Sequence, residues 1–172
     1  YSGFQMYEWR WAQPELISQK RDFNVPLWLG DEPLIGKTIL LHCEQGLGDT
    51  IQFCRYVKQV SELGAKVIFE VQRPLFALLQ SLNGVDHLIA RGDPLPKFDF
   101  HCPLLSLPLA FKTDLMSVPF EASYLQAEQQ RVVYWKARLK GEKFKIGIAW
   151  TRIPLFSVRN GYKKSLKIKN NY

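Results

Sequence analysis

Strand-sized apolar runs alternate along the chain with segments patterned for helices, and short Gly- and Pro-marked turns separate them. That alternation predicts an α/β fold, a Rossmann-like parallel sheet with helices on both faces. Composition agrees: 47% hydrophobic, 13% aromatic and 23% charged residues describe a packed chain rather than a disordered one. The 172 residues suffice for one good-sized domain with flanking pieces.

Residues 1–35 carry Trp9, Trp11, Trp28, Pro14, Pro26 and Pro33 without a steady period and read as an irregular, aromatic-rich lead-in. Its densest stretch, Tyr7 to Trp11, is suited to close a helical hairpin or cover an edge of the domain that follows. The domain is expected over residues 36–142. Lys37 to Cys43 is a short apolar run between Gly36 and a Gly-rich turn, hence a buried first strand. After the turn, Phe53, Val57 and Val60 share one face of a helix over Thr50 to Leu63, which Gly64 stops. Lys66 to Val71 is the second strand, rich in β-branched and aromatic residues. Pro74 opens the next helix, whose Leu75, Leu78, Leu79 and Leu82 make an apolar stripe ending near Gly84. Asp86 to Ala90 and Phe98 to Cys102 are the third and fourth strands. Ser106 to Phe111 predicts a brief helix, and Gln126 to Lys140 a longer one carrying Val133, Trp135 and Leu139. Phe144 to Trp150 predicts a further buried strand, and residues 143–150 read as the first strand of another domain.

Residues 151–172 break the pattern, because the turn and helix due after Trp150 are replaced by an Asn-, Lys- and Tyr-rich run. This run reads as a disordered basic tail, such as a frame-shifted or fragmentary product would carry. Six of the 23 Lys and Arg residues and none of the 16 acids lie there, so the tail carries +6 of the net charge of +7 and the body is nearly neutral. Such a tail attracts polyanions only weakly. No alternation of basic and aromatic residues in the body suggests a nucleic-acid surface, so no specific nucleic-acid partner is expected. No apolar stretch approaches the ~20 residues of a membrane span. Three cysteines, none in a CxxC pair, point to a reducing, cytoplasmic setting. Oligomeric state is not legible in the sequence.

In a parallel sheet, ligands gather where strand ends feed their turns. The first such turn is Glu44-Gln45-Gly46-Leu47-Gly48-Asp49. It lacks both the GxGxxG dinucleotide fingerprint and the GxxxxGK[ST] phosphate loop. An ionised Asp49 would repel a pyrophosphate at the start of the helix, which disfavours a nicotinamide-dependent oxidoreductase. The turn suits a neutral, hydroxyl-bearing ligand. Asp49 there has two readings, a general base toward that hydroxyl or a helix cap. Gln45, Gly46 and Gly48 line the same turn, and His101, near the end of the fourth strand, is a candidate acceptor contact or a structural histidine. His42-Cys43 and His101-Cys102 end neighbouring strands. Alternation sends adjacent residues to opposite faces, and no ligand spacing supports a zinc site, so no metal is expected.

Taken in order, Tyr7-Glu-Trp-Arg-Trp11, Gly36-Lys-Thr-Ile-Leu-Leu-His42, Glu44-Gln-Gly-Leu-Gly-Asp-Thr-Ile-Gln-Phe53, Arg55-Tyr56, Asp99 to Pro108, Tyr124-Leu125 and Ile146 to Trp150 resemble bacterial tetratricopeptide-repeat proteins with a C-terminal glycosyltransferase domain. That domain is similar to the heptosyltransferase family of GT-B fold enzymes, and the resemblance covers roughly residues 3–150. It implies two Rossmann-like domains facing a cleft, of which this chain carries the N-terminal, acceptor-side half. It implies a nucleotide-sugar donor, an acceptor that is a sugar, glycolipid or protein, no further cofactor, and Asp49 as catalytic base. Thr151-Arg-Ile-Pro154 stands where the family continues into its donor domain, so the chain is expected to be truncated and inactive alone. A non-catalytic interaction module linked to tetratricopeptide repeats is the competing expectation, with Trp9, Trp11 and Trp28 docking a partner.

Overall fold

The computed structural model describes residues 2–17, 20–120, 123–141, 144 and 146. Four strands, β1 (Thr38–His42), β2 (Lys66–Val71), β3 (His87–Ala90) and β4 (Phe100–Pro103), form one parallel sheet in the order β3-β2-β1-β4. Ile39 pairs with Val67 on one side and Phe100 on the other, which places β1 at the centre. Central parallel strands are buried on both faces, and β1 and β2 accordingly read as continuous apolar runs. The chain is thus a Rossmann-like α/β protein.

The two faces are built differently. Ile39, Leu41, Val67, Phe69 and Val71 join the larger core with residues of the helical segments. These segments are α3 (Leu47–Phe53), a 3-10 turn at Cys54–Tyr56, α4 (Val57–Glu62), α5 (Phe76–Leu79) and α6 (Leu107–Ala110). Gly64 stops the α4 hairpin as expected, in the left-handed conformation at φ 83°. Leu40, Ile68 and Ile89 form a smaller cluster on the opposite face, covered by Phe23, Leu95 and Phe98 from irregular chain. Among the described residues, the helices expected on that second face are replaced by extended chain. The link from β3 to β4 has no room for a crossover helix.

The lead-in is more ordered than its sequence suggests. Residues 2–17 hold α1 (Ser2–Tyr7), a 3-10 turn (Glu8–Ala12) and α2 (Pro14–Ile17), while residues 20–35 are irregular as expected, apart from one bridge at Leu27. Farther along, Trp28 N–H donates to His101 O (2.9 Å) and His101 N–H to Pro26 O (3.2 Å). The lead-in therefore covers the open edge of β4, but with residues 26–28 rather than with Tyr7 to Trp11. Covering an edge removes a template for unwanted pairing. Buried Trp28 fixes this contact, its indole N–H donating to Glu32 O at 2.8 Å.

Gly30 adopts φ 95°, and a Cβ there would overlap the Ala110 carbonyl. Gly30→Ala is therefore expected to lose more than the roughly 1–2 kcal/mol of left-handed backbone alone. Urea unfolding checks this, and a loss below about 1 kcal/mol would contradict the packing described.

The last described helix, α7 (Gln129–Arg138), lies within the expected span and buries none of its residues. The expected strand over residues 144–150 falls mostly outside the described residues, and the tail at 151–172 wholly so. Among the described residues, no helix is long and apolar enough to cross a membrane.

Candidate functional site

The turn after β1 is held at several points. Gln72, just past β2, donates its amide to Gln45 O (2.9 Å) and Gly46 O (3.4 Å). Its Oε1 accepts from the buried Thr50 hydroxyl at 2.9 Å. Gly46 N–H donates to Asp49 Oδ2 at 2.9 Å, and Thr50 N–H to Gly46 O at 3.2 Å. Asp49 thus closes the first turn of α3 from its third position, with Gly46 as the flanking residue. Among the described residues, no protein group donates to its second oxygen, Oδ1.

Glu44 starts the same turn and is buried. Its carboxylate takes two short bonds from Arg10 Nη2, at 3.0 and 3.1 Å, and one from Leu105 N–H at 3.2 Å. Burial pushes the Glu44 carboxyl up from its usual range, while the Arg10 guanidinium and the Leu105 amide pull the other way. Arg10 is itself buried. It also donates to Glu8 Oε1 (2.7 Å), Ser106 Oγ (2.8 Å) and Tyr7 O (3.2 Å) and lies over the Tyr7 and Trp11 rings. One guanidinium therefore ties the lead-in to the ends of β1 and β4.

Between these parts lies a cavity of about 390 Å³, lined by Gly3, Phe4, Tyr7, Asp49, Phe53 and Leu105. Of the expected site residues, Asp49 lines it, and Gly46 and Gly48 stand on the turn beside it. Gln45 borders a neighbouring cavity with Tyr7 and Arg10, and its amide donates to the Tyr7 hydroxyl at 2.7 Å. Phe4, Tyr7, Arg10, Phe53, Gln72 and Leu105 complete the site and are not foreseen in these roles. Only the aromatic density of Tyr7 to Trp11 hints at them.

His101 is not among the residues that line this cavity. Register explains this: it pairs with Leu40 and so shares the face of the smaller cluster. There His101 Nδ1 meets His42 Nε2 at 3.3 Å, with Phe23 packed against both rings. Arg21 bridges to buried Glu70 on the same side. Burial above all, and then the neighbouring His101 and arginines, lower the pKa of His42 to about 3. Burial and Arg21 lower that of His101, against Asp22. Both rings are neutral at pH 7.

An unfolded histidine titrates near 6.5, so on acidification below that value the unfolded chain binds protons that the folded chain refuses. Stability is fully present above pH 6.5 and is expected to fall between pH 6.5 and 5, by up to about 1.4 kcal/mol per pH unit for His42, with His101 acting in the same direction. Urea midpoints at half-unit intervals test this. A flat profile between pH 7 and 5 would contradict it.

The cysteines offer no nucleophile. All three are buried free thiols. Burial pushes Cys43 up to about 11 and Cys54 up to about 12, and it raises Cys102 as well. Among the described residues, no group of three or more His, Cys, Asp or Glu side chains gathers as a metal would require.

No family model matches the chain, and no solved structure matches it. A curated relative, Protein FlbA of Caulobacter vibrioides, is 26% identical over 179 residues, which span 91% of this chain and 30% of that protein. The chain is thus similar to a portion of a longer bacterial protein.

Proposed function

We propose that this chain is the acceptor-binding half of an inverting glycosyltransferase that uses a nucleotide-sugar donor, with Asp49 as the base. The observation that carries the reading is a carboxylate at the carboxyl end of the sheet, facing a cavity with one oxygen unengaged by described residues. Asp49 takes the proton of an acceptor hydroxyl. The hydroxyl oxygen attacks the anomeric carbon from the face opposite the leaving group, and the nucleoside diphosphate departs with the electron pair of the broken C–O bond. Inversion follows from the single displacement. Charge on the leaving diphosphate must be met by a donor-binding domain, so transfer requires that domain as well. The buried, reduced thiols suit a reducing compartment such as the cytoplasm.

Gly46 and Gly48 keep the turn slim, and Gln72 with Thr50 holds its shape. Preorganisation of this kind lets a carboxylate meet its proton without reorganising. The test is sugar transfer by the chain joined to a donor-binding domain, compared with its Asp49→Asn variant.

A second reading, a non-catalytic interaction module linked to tetratricopeptide repeats, is favoured by the lead-in surface, where Met6 and Trp9 are 71% and 76% exposed. Transfer activity that depends on Asp49 decides against it.

A further inference from the structure

We infer that the lead-in helix α1 supplies the recognition wall of the cavity, and that Phe4 and Tyr7 select a ligand whose hydroxyl sits on an apolar ring or chain rather than on a polyol. The inference rests on the reading of Asp49 as the residue that meets the ligand's hydroxyl. The cavity draws Phe4 and Tyr7 from α1, Phe53 from α3 and Leu105 from the segment after β4, and Asp49 is the one ionisable group on an otherwise apolar lining besides the Tyr7 phenol. The phenol already accepts the Gln45 amide, which turns it toward the turn. A polyol entering here would lose water from several hydroxyls and find one carboxylate to replace it, an unfavourable exchange. A ligand with one hydroxyl and an apolar body loses little water and meets aromatic surface on two sides.

The wall is fixed rather than incidental. Arg10, 3% exposed, holds Tyr7 through its carbonyl (3.2 Å) and ring face (4.8 Å) while its other bonds reach Glu44 and Ser106 at the strand ends. α1 is thus tied to the sheet end that carries Asp49. The spacing between the aromatic wall and the carboxylate is set by a buried ion pair.

The experiment uses two small probes, 2-phenylethanol and methyl β-glucoside, titrated into the ¹⁵N-labelled chain. 2-Phenylethanol is expected to shift the amides of Gly46, Gly48 and Phe53 saturably, and methyl glucoside at equal concentration to leave them in place. Phe4→Ala and Tyr7→Ala are each expected to weaken 2-phenylethanol by about three- to tenfold, the worth of one aromatic contact. Leu115→Ala, at an exposed site outside the cavity, changes nothing. Neither Phe4 nor Tyr7 is buried, so the variants keep their fold, and unchanged amide shifts across β1 and β2 verify it.

Equal or tighter binding of the glucoside overturns the inference. So does binding of 2-phenylethanol that ignores both substitutions, or no saturable binding of either probe. Sugar transfer by Asp49→Asn in the chain joined to a donor-binding domain tests the base, while the probe titrations of Phe4→Ala and Tyr7→Ala test the aromatic wall. Loss of the aromatic selectivity and loss of base function are thus read separately.

Discussion

Replacing Arg10 by Met is expected to destabilise the chain by about 3–5 kcal/mol, the effect of leaving a buried charge without its partner. The stranded group is Glu44, whose side chain is 2% exposed, and Glu8 and Ser106 lose a donor in the same step. Removing both charges should do far less harm. In Arg10→Met/Glu44→Gln the amide oxygen still accepts Leu105 N–H, and no uncompensated carboxylate remains. The coupling between the sites should therefore be large and of opposite sign to the single effect. Urea unfolding of the wild type, both single variants and the double variant measures it. A loss below about 1 kcal/mol for Arg10→Met would place this pair among ordinary surface ion pairs. The lead-in would then be a loosely attached strap rather than part of the site.

The sheet was legible because its signals are local. β2 spans Lys66–Val71 as its β-branched and aromatic content predicts, β1 is one residue shorter than expected at each end, and β3 is one residue shorter at its start. β4 is shifted toward its C-terminus, since Pro103 pairs with His42 while Phe98 turns away into the smaller cluster. The first helix begins at Leu47 rather than Thr50 because Gly46 and Asp49 share the closure of its first turn. The 3-10 turn at Cys54–Tyr56 interrupts it without leaving a mark in the apolar period, since Phe53, Val57 and Val60 keep one face through the break.

What the sequence hides is long-range. Arg10 and Glu44 lie 34 residues apart, and no periodicity or motif links a buried arginine in an aromatic lead-in to a glutamate on a distant turn. The helical character of residues 2–17 is hidden for a related reason. These turns are short, carry no steady apolar stripe, and are held by Arg10 rather than by their own propensity. The side of the sheet on which His101 lies was not legible, because strand alternation tells which residues share a face but not which face meets the cavity. Pairing of His101 with Leu40 decides that, and pairing is a property of the assembled sheet. Asp49 was legible as both cap and candidate base; the structure shows one oxygen closing α3 and a cavity beside it, and the base role is the proposal built on that placement.

The central claim is that Asp49 removes the acceptor proton, and one substitution separates that from its structural duty. Asp49→Asn keeps an oxygen able to accept the Gly46 N–H, so the first turn of α3 should persist and the unfolding midpoint should stay close to wild type. An amide cannot take a proton at neutral pH. Sugar transfer by the chain joined to a donor-binding domain should therefore fall by roughly 10²–10⁴-fold, the usual worth of a general base. Asp49→Ala controls for the cap, and its additional loss of about 0.5–2 kcal/mol in stability should appear without further loss of rate. The decisive measurement is the single-turnover rate of sugar transfer by Asp49→Asn against wild type at matched foldedness. A fall of at least 10²-fold is the result predicted, and turnover close to wild type would remove Asp49 from the mechanism and leave it a helix cap.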